Sequence, residues 1–430
     1  MSNPPLKKLA SLPALWTGWL VARVLLVVML LCKTTPLGDL YYYFNGVYGT
    51  NPTDMTEYPQ PGTWPSVLVA WLTGPHEQRF FVVFTAMTLL ADATFLALLL
   101  RQHRGRSEVF FAAWFWVFFG TAAGHVFAWR LDLYPALLVA GAGALLATRP
   151  RVAAALLGWA TTVKLWPGVL AAGLVGRYSA RGTWQRLGAY FAAVLALCAG
   201  VAAFSGVDRL LSPLSYQGER GLQIESVAAT VFMVGAYYDP QRWDAHYAPS
   251  KSFEISGPGV SIALTISTVA MAAALVWALG VALSRFLRGG WNPRSTAVFF
   301  VAAILLLIAT NKVFSTQYIV WIGPILAVAL RTEVPRATRA QRRVAAQTTR
   351  HRRALAVLTV LAAALGTYIY PWGYDYLWLN VGANPIPVYA LAVRNVLILA
   401  MVLIALLWHR AEYRVQAGQA RPAPADYKSI

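Results

Sequence analysis

Residues 15–31 read LWTGWLVARVLLVVMLL, seventeen positions with Arg23 as the one charge. A hydrocarbon core about 30 Å thick is crossed by roughly 17–25 mostly apolar helical residues. This stretch is therefore a membrane span. The same texture returns at 80–100, 109–124, 133–148, 152–178, 184–204, 260–283, 297–309, 318–330, 354–370 and 388–408. The 152–178 stretch is interrupted between Lys164 and Pro167, where proline breaks a helix, and reading it as two short helices gives about twelve. Composition agrees: the chain has 430 residues, 58% hydrophobic and 12% charged, with a mean hydropathy of +0.53. That is more apolar surface than one aqueous core can bury. The expected fold is an all-α, polytopic integral membrane bundle.

The net charge of +19 would suit nucleic acid if it were spread over one surface, but it alternates with the spans. Lys7/Lys8, Arg101/Arg104/Arg106, Arg149/Arg151, Arg177/Arg181/Arg186, Arg285/Arg288/Arg294, the 331–353 stretch and the tail from Arg410 hold 25 of the 36 Lys and Arg. Acidic residues gather in the intervening loops, among them Asp39, Asp54, Glu57, Asp208, Glu225 and Asp244. This is the positive-inside pattern. It places the basic loops and both termini in the cytoplasm and explains the basicity without nucleic acid. Residues 1–33 lack a small-x-small cleavage site, so they read as an uncleaved first helix. Cys32 and Cys198 fall at or within spans and carry no redox inference.

Loops 34–79, 125–132, 206–257, 311–317 and 371–387 then lie outside. The first and third are long and rich in Tyr, Trp, Pro and Gly, a composition unlike a flexible linker. Short helices on the outer membrane face are expected in both. The 331–353 loop packs eight Arg into 23 residues and suits anionic lipid heads. Residues 1–410 form one membrane domain, and 411–430 are expected to be a disordered cytoplasmic tail.

Polar groups in or beside spans are costly to bury and so mark candidate sites. Arg130 and Asp132 open a span in Trp129-Arg-Leu-Asp-Leu-Tyr-Pro135. Lys164 precedes the helix-breaking Pro167, Lys312 opens an outer loop, and Arg220 and Glu225 share Gly218-Glu-Arg-Gly-Leu-Gln-Ile-Glu-Ser226. Asp39 heads an aromatic run after the first span. Each has a structural alternative. Arg130 and Asp132 could pair with each other, Lys164 could snorkel, Glu225 could staple Arg220, Asp39 could cap the helix that follows, and His125 could be a packing histidine. No His or Cys pair has metal-ligand spacing, and the Gly-x-Gly at 141–143 lies inside a span, where small residues serve helix packing. Together, outer acids, outer cations and aromatic loops suit a lipid-linked phosphate leaving while a carboxylate takes a hydroxyl proton.

Gly38-Asp39-Leu40 with Tyr43, Tyr58-Pro59-x-Pro61, Arg130-x-Asp132-x-x-Pro135, Lys164-Leu-x-Pro167, Glu219-Arg220-Gly221…Glu225-Ser226 and Asn311-Lys312-Val-Phe-Ser315-x-Gln317-Tyr318 resemble glycosyltransferase family 87. That family comprises polyprenol-phosphate-mannose-dependent mannosyltransferases of the GT-C membrane superfamily. The resemblance runs in order over residues 38–318. It implies a GT-C-type bundle in the plasma membrane that transfers a mannosyl unit, with inversion, to a glycolipid or glycan hydroxyl on the outer face. It also implies Asp39 as the acceptor-activating base, and a donor and acceptor site lined by Tyr43, Tyr58, Arg130, Asp132, Lys164, Arg220, Glu225, Lys312 and Gln317. No metal or other cofactor is expected; the donor is itself the lipid-linked substrate. The alternative is a transporter or flippase for a lipid-linked or anionic substrate, suggested by the likeness of Thr162-Val-Lys164-Leu-Trp-Pro to Thr310-Asn-Lys312-Val-Phe, as inverted repeats would give.

Overall fold

The computed structural model describes residues 10–49, 51, 54–101, 106–218, 220–332 and 339–419. Lys7, Lys8, Arg104, Glu219, Arg336 and positions 420–430 of the expected tail lie outside them. The chain opens with α1 (Leu12–Cys32), α2 (Leu37–Tyr48), α3 (Gln60–Thr73), α4 (Glu77–Leu100), α5 (Ser107–Ala122), α6 (Gly124–Trp129), α7 (Leu133–Leu145) and α8 (Pro150–Val163). A 3-10 segment, Trp166–Leu174, leads to α9 (Arg181–Ser205), α10 (Val207–Gly218), α11 (Thr230–Tyr238), and strands β1 (Asp244–Ala248) and β2 (Ser252–Ser256). Then come α12 (Val260–Arg288), α13 (Pro293–Thr310), a second 3-10 segment (Thr316–Trp321), α14 (Ile322–Arg331), α15 (Arg339–Thr367), a π turn (Tyr368–Trp372), α16 (Asp375–Trp378) and α17 (Pro385–Gln419).

Among the described residues, seven helical stretches are long and apolar enough to cross a membrane: α1, α4, α9, α12, α13, Ala345–Trp372 and Pro385–Tyr413. The chain is a multi-pass membrane protein, helical almost throughout. Hydropathy leads to an expectation of about twelve spans; beyond these seven, α5, α7 and Thr316–Arg331 are apolar but shorter. At 1.5 Å per residue α7 extends only about 20 Å, well under the hydrocarbon thickness. Short and irregular elements survive at membrane depth when protein surrounds them, and every residue from Ile322 to Leu330 in α14 is buried. The long helices supply the lipid-facing surface. Leu20, Val21 and Val24 on α1 and Ile262, Ile266 and Val269 on α12 are all exposed.

Local chemistry starts the helices where they start. Ser11 Oγ accepts from Ala14 N (3.4 Å) at the head of α1, with Pro13 in the first turn, and Asn292 Oδ1 accepts from Arg294 N (2.8 Å) ahead of α13. Such caps satisfy orphan N–H groups. Arg23 of α1 and Asp92 of α4 neutralise each other inside the bundle through Nε–Oδ2 (2.6 Å) and Nη2–Oδ1 (2.9 Å) contacts. That forked geometry is how an intramembrane charge is tolerated.

The long loops carry the short helices expected of them, α2 and α3 in the first, α10 and α11 in the third. The third also folds into an antiparallel hairpin that pairs Asp244 with Ser256 and Ala248 with Ser252. This strand pair was not expected from the sequence. α15 begins at Arg339, so much of the arginine-rich stretch is helix rather than loop, and α17 continues past residue 410 to Gln419. The helix break at Lys164 is present: α8 stops at Val163 and Lys164 is extended, with φ −155° and ψ 141°.

Candidate functional site

A cavity of about 620 Å³ lies among the long loops. Its polar wall includes Asp39, Arg130, Lys164 and Arg220; Leu165, Trp166, Val169, Met271, Leu275 and Leu307 make an apolar wall.

Asp39 sits in the first turn of α2, where Pro36 is the cap residue and no side-chain cap bond forms. Its carboxylate points elsewhere. Oδ1 meets Arg130 Nη1 at 2.6 Å and Oδ2 accepts from the Tyr370 hydroxyl at 3.2 Å. Burial pushes the Asp39 carboxyl above its ordinary value, against the pull of the Arg130 charge and the Tyr370 hydrogen bond. Arg130 is extended (φ −114°, ψ 145°) between α6 and α7, and its guanidinium also lies against the Tyr370 ring.

Asp132 does not pair with Arg130. Its Oδ1 accepts from Lys164 Nζ (2.5 Å) and Trp321 Nε1 (2.5 Å), while Oδ2 is buried with no hydrogen bond among the described residues. Lys164 does not snorkel either. The break after α8 turns its ammonium inward among the rings of Tyr58, Tyr318 and Trp321, at 5.9, 5.3 and 5.2 Å from their centroids, where cation–π attraction adds to the ion pair.

The remaining sequence candidates divide. Tyr58, Arg220 and Gln317 line the cavity. Tyr43 is fully buried behind it, stacked on Phe84 and edge-on to Tyr58. Lys312 is a loop fastener: its ammonium donates to the Arg220 carbonyl, and its own carbonyl accepts from Gln223 N (3.0 Å). Glu225 is buried away from the cavity, and its partner is Arg394 of α17 (2.8 Å) rather than Arg220. The same Oε2 accepts from Thr316 N (3.0 Å) and Thr316 Oγ1 (2.5 Å). His125 is buried, with Nε2 2.9 Å from the Lys33 carbonyl oxygen and its ring edge-on to Trp129, a packing role. Glu219 lies outside the described residues.

Sequence reasoning missed Tyr370, Tyr42, Tyr247, Lys251 and Trp321. A carboxylate beside a guanidinium and an ammonium, next to an apolar wall, can take a proton, hold an anionic leaving group and accommodate a hydrocarbon tail. Among the described residues no group of three or more His, Cys, Asp or Glu could hold a metal ion. Comparison of the chain with protein-family models, curated proteins and solved structures finds no match.

Proposed function

We propose that this protein is an inverting membrane glycosyltransferase that moves a mannosyl unit from polyprenyl-phosphate-mannose to a glycolipid or glycan hydroxyl at the outer face of the plasma membrane. The observation that carries the reading is the meeting of Asp39, Arg130 and Lys164 on one cavity that also has an apolar wall. In the reaction the acceptor oxygen bonds to the anomeric carbon as the bond from that carbon to the phosphate oxygen breaks. The acceptor proton passes to Asp39, and the electron pair leaves on the phosphate. Arg130 and Lys164 stabilise that growing negative charge. A β-linked donor gives an α-linked product. The prenyl tail runs out along Val169, Met271 and Leu275. Among the described residues, none that lines the cavity comes from the arginine-rich 331–353 stretch, which favours transfer over a transport path joining both faces.

A cell-free assay with radiolabelled polyprenyl-phosphate-mannose and candidate acceptors tests the reaction; lipid-soluble product is expected, and its absence with every acceptor defeats the reading. Orientation is tested separately. Cysteines placed at 220 or 375 should react with an impermeant reagent on intact cells, and one at 342 should not. Labelling at 342 would invert the assignment.

The phosphate role of Lys164 has its own measurement. Hydrogen bonds to charged groups are worth about 1.5–3 kcal/mol, so Lys164→Ala should weaken donor use by about ten- to a hundredfold. Unchanged donor kinetics in a folded variant would leave Lys164 as the counter-charge of Asp132 alone.

A further inference from the structure

One helical turn beyond Asp39 on α2, a second polar cluster lines the same cavity. Tyr42 stands at i+3 from Asp39, which places it on the same face of the helix. Its hydroxyl donates to Glu57 Oε2 (2.8 Å) and accepts from Met55 N (2.7 Å) and Lys251 Nζ (3.4 Å). Lys251 belongs to the turn of the β1–β2 hairpin; its ammonium also lies 3.6 Å from Asp54 and 5.2 Å from the centre of the Tyr42 ring. Tyr247 of β1 lines the cavity beside them and is 59% exposed.

Two backbone conformations single this cluster out. Among the described residues Met55 (φ 59°) and Lys251 (φ 53°) are the non-glycine residues with positive φ. Side chains with a Cβ avoid that region, and when found there they mark turns or functional constraint. Both residues direct a donor at the one Tyr42 hydroxyl. Glycine or asparagine would meet the geometry of the hairpin turn more cheaply, yet the position bears a lysine that reaches into the cavity. The result fixes Glu57 by one oxygen only. Its Oε1 takes no hydrogen bond from the described residues.

A carboxylate oxygen, an ammonium and an exposed phenol ring around one space fit a sugar ring. The carboxylate and ammonium bind hydroxyls, and the aromatic face covers the C–H side of the ring. The leaving phosphate has its cations at Arg130 and Lys164, so this cluster falls to the other substrate. We propose that Glu57, Lys251 and Tyr247, with Tyr42 as the positioning residue for Glu57, form the subsite for the sugar ring of the acceptor and set acceptor specificity. This assignment rests on the glycosyl-transfer reading for its purpose, and on Asp39 lying one turn away for its geometry.

The test uses the full chain in lipid nanodiscs and octyl α-mannoside as the probe, with octanol as the sugar-free control. Saturable binding of the mannoside but not of octanol is expected. Lys251→Gly keeps the turn, which glycine fits, and removes the ammonium; Glu57→Gln keeps the shape and removes the charge. Each should weaken mannoside binding about tenfold or more, and in the transfer assay the change should fall on the acceptor KM rather than the donor KM. No saturable sugar binding by the unaltered protein, or binding that both variants preserve, overturns the subsite. Binding that follows the expected pattern without any transfer would support the subsite while defeating the proposed reaction.

Discussion

Asp39→Asn is expected to reach the membrane at normal abundance and to lose at least about a hundredfold in mannosyl transfer, the lower range of what general-base assistance supplies. Asparagine matches the shape of aspartate and keeps one acceptor oxygen, and the Asp39–Arg130 pair that it breaks is partly exposed, so the loss to folding is small. A helix-capping role would also survive the change, because Asn caps about as well as Asp; here Asp39 makes no cap bond at all. What Asn cannot do is take a proton. The acid limb of the pH profile supplies a second readout. Burial holds the Asp39 carboxyl above its ordinary value, near 3.9 for a free aspartate. Activity requires the ionised form, so kcat/KM should fall as pH drops through that raised value, and the limb should lie higher than for an exposed carboxylate. Near-normal transfer by Asp39→Asn would make Asp39 only the counter-charge of Arg130. Glu57, the other carboxylate lining the cavity, would then be tested as the base.

Replacing either Glu225 or Arg394 by leucine should destabilise the protein by about 3–5 kcal/mol, because each change leaves its partner buried and unpaired. Both side chains are 1% exposed. Glu225 takes bonds from Arg394 Nη1, Thr316 N and Thr316 Oγ1 on one oxygen, while its backbone carbonyl accepts from Arg394 and from Asn395 Nδ2 (3.2 Å). Removing both charges together should cost much less than the two single changes summed, since no lone charge then remains. Thermal melts of the purified protein in one detergent read the cycle. Single variants within about 1 kcal/mol of the parent would mean that water reaches the pair, since exposed pairs are worth that little.

The spans were legible because their signal is compositional. Lipid selects apolar side chains at every position it touches, and loop charge fixes the alternation. Length divides these stretches where texture does not: α7 has 13 residues and α1 has 21, and both are apolar throughout most of their length. Polar residues in or beside spans pointed to Arg130, Asp132 and Lys164; Arg130 and Lys164 line the cavity, and Asp132 pairs with Lys164. Their pairing was not legible. Backbone is extended at Arg130 and helical at Asp132, so two charges near in sequence take partners from α2 and from the end of α8. Tyr370 lies 331 positions from the carboxylate it touches. No local pattern could announce it. The hairpin escaped notice because each strand has only five residues and its turn lacks the Asn-Gly or Asp-Gly signal of tight hairpins.

The tie between Glu225 and Arg394 also bears on the order in which the chain can complete the surroundings of this cavity. The cavity wall comes from segments between Gly38 and Trp321, all of which leave the ribosome before the last two long helices. Tyr370, the hydrogen-bond donor to Asp39, and Arg394, the counter-charge of Glu225, arrive with those helices. A nascent chain that has made every lining residue still holds Glu225 without Arg394 and Asp39 without the Tyr370 hydroxyl. The last long stretch but one supplies Tyr370, and the last supplies Arg394. A chain that ends before Tyr370 therefore lacks both the hydrogen-bond donor to Asp39 and the counter-charge of Glu225, although it carries every residue of the cavity wall.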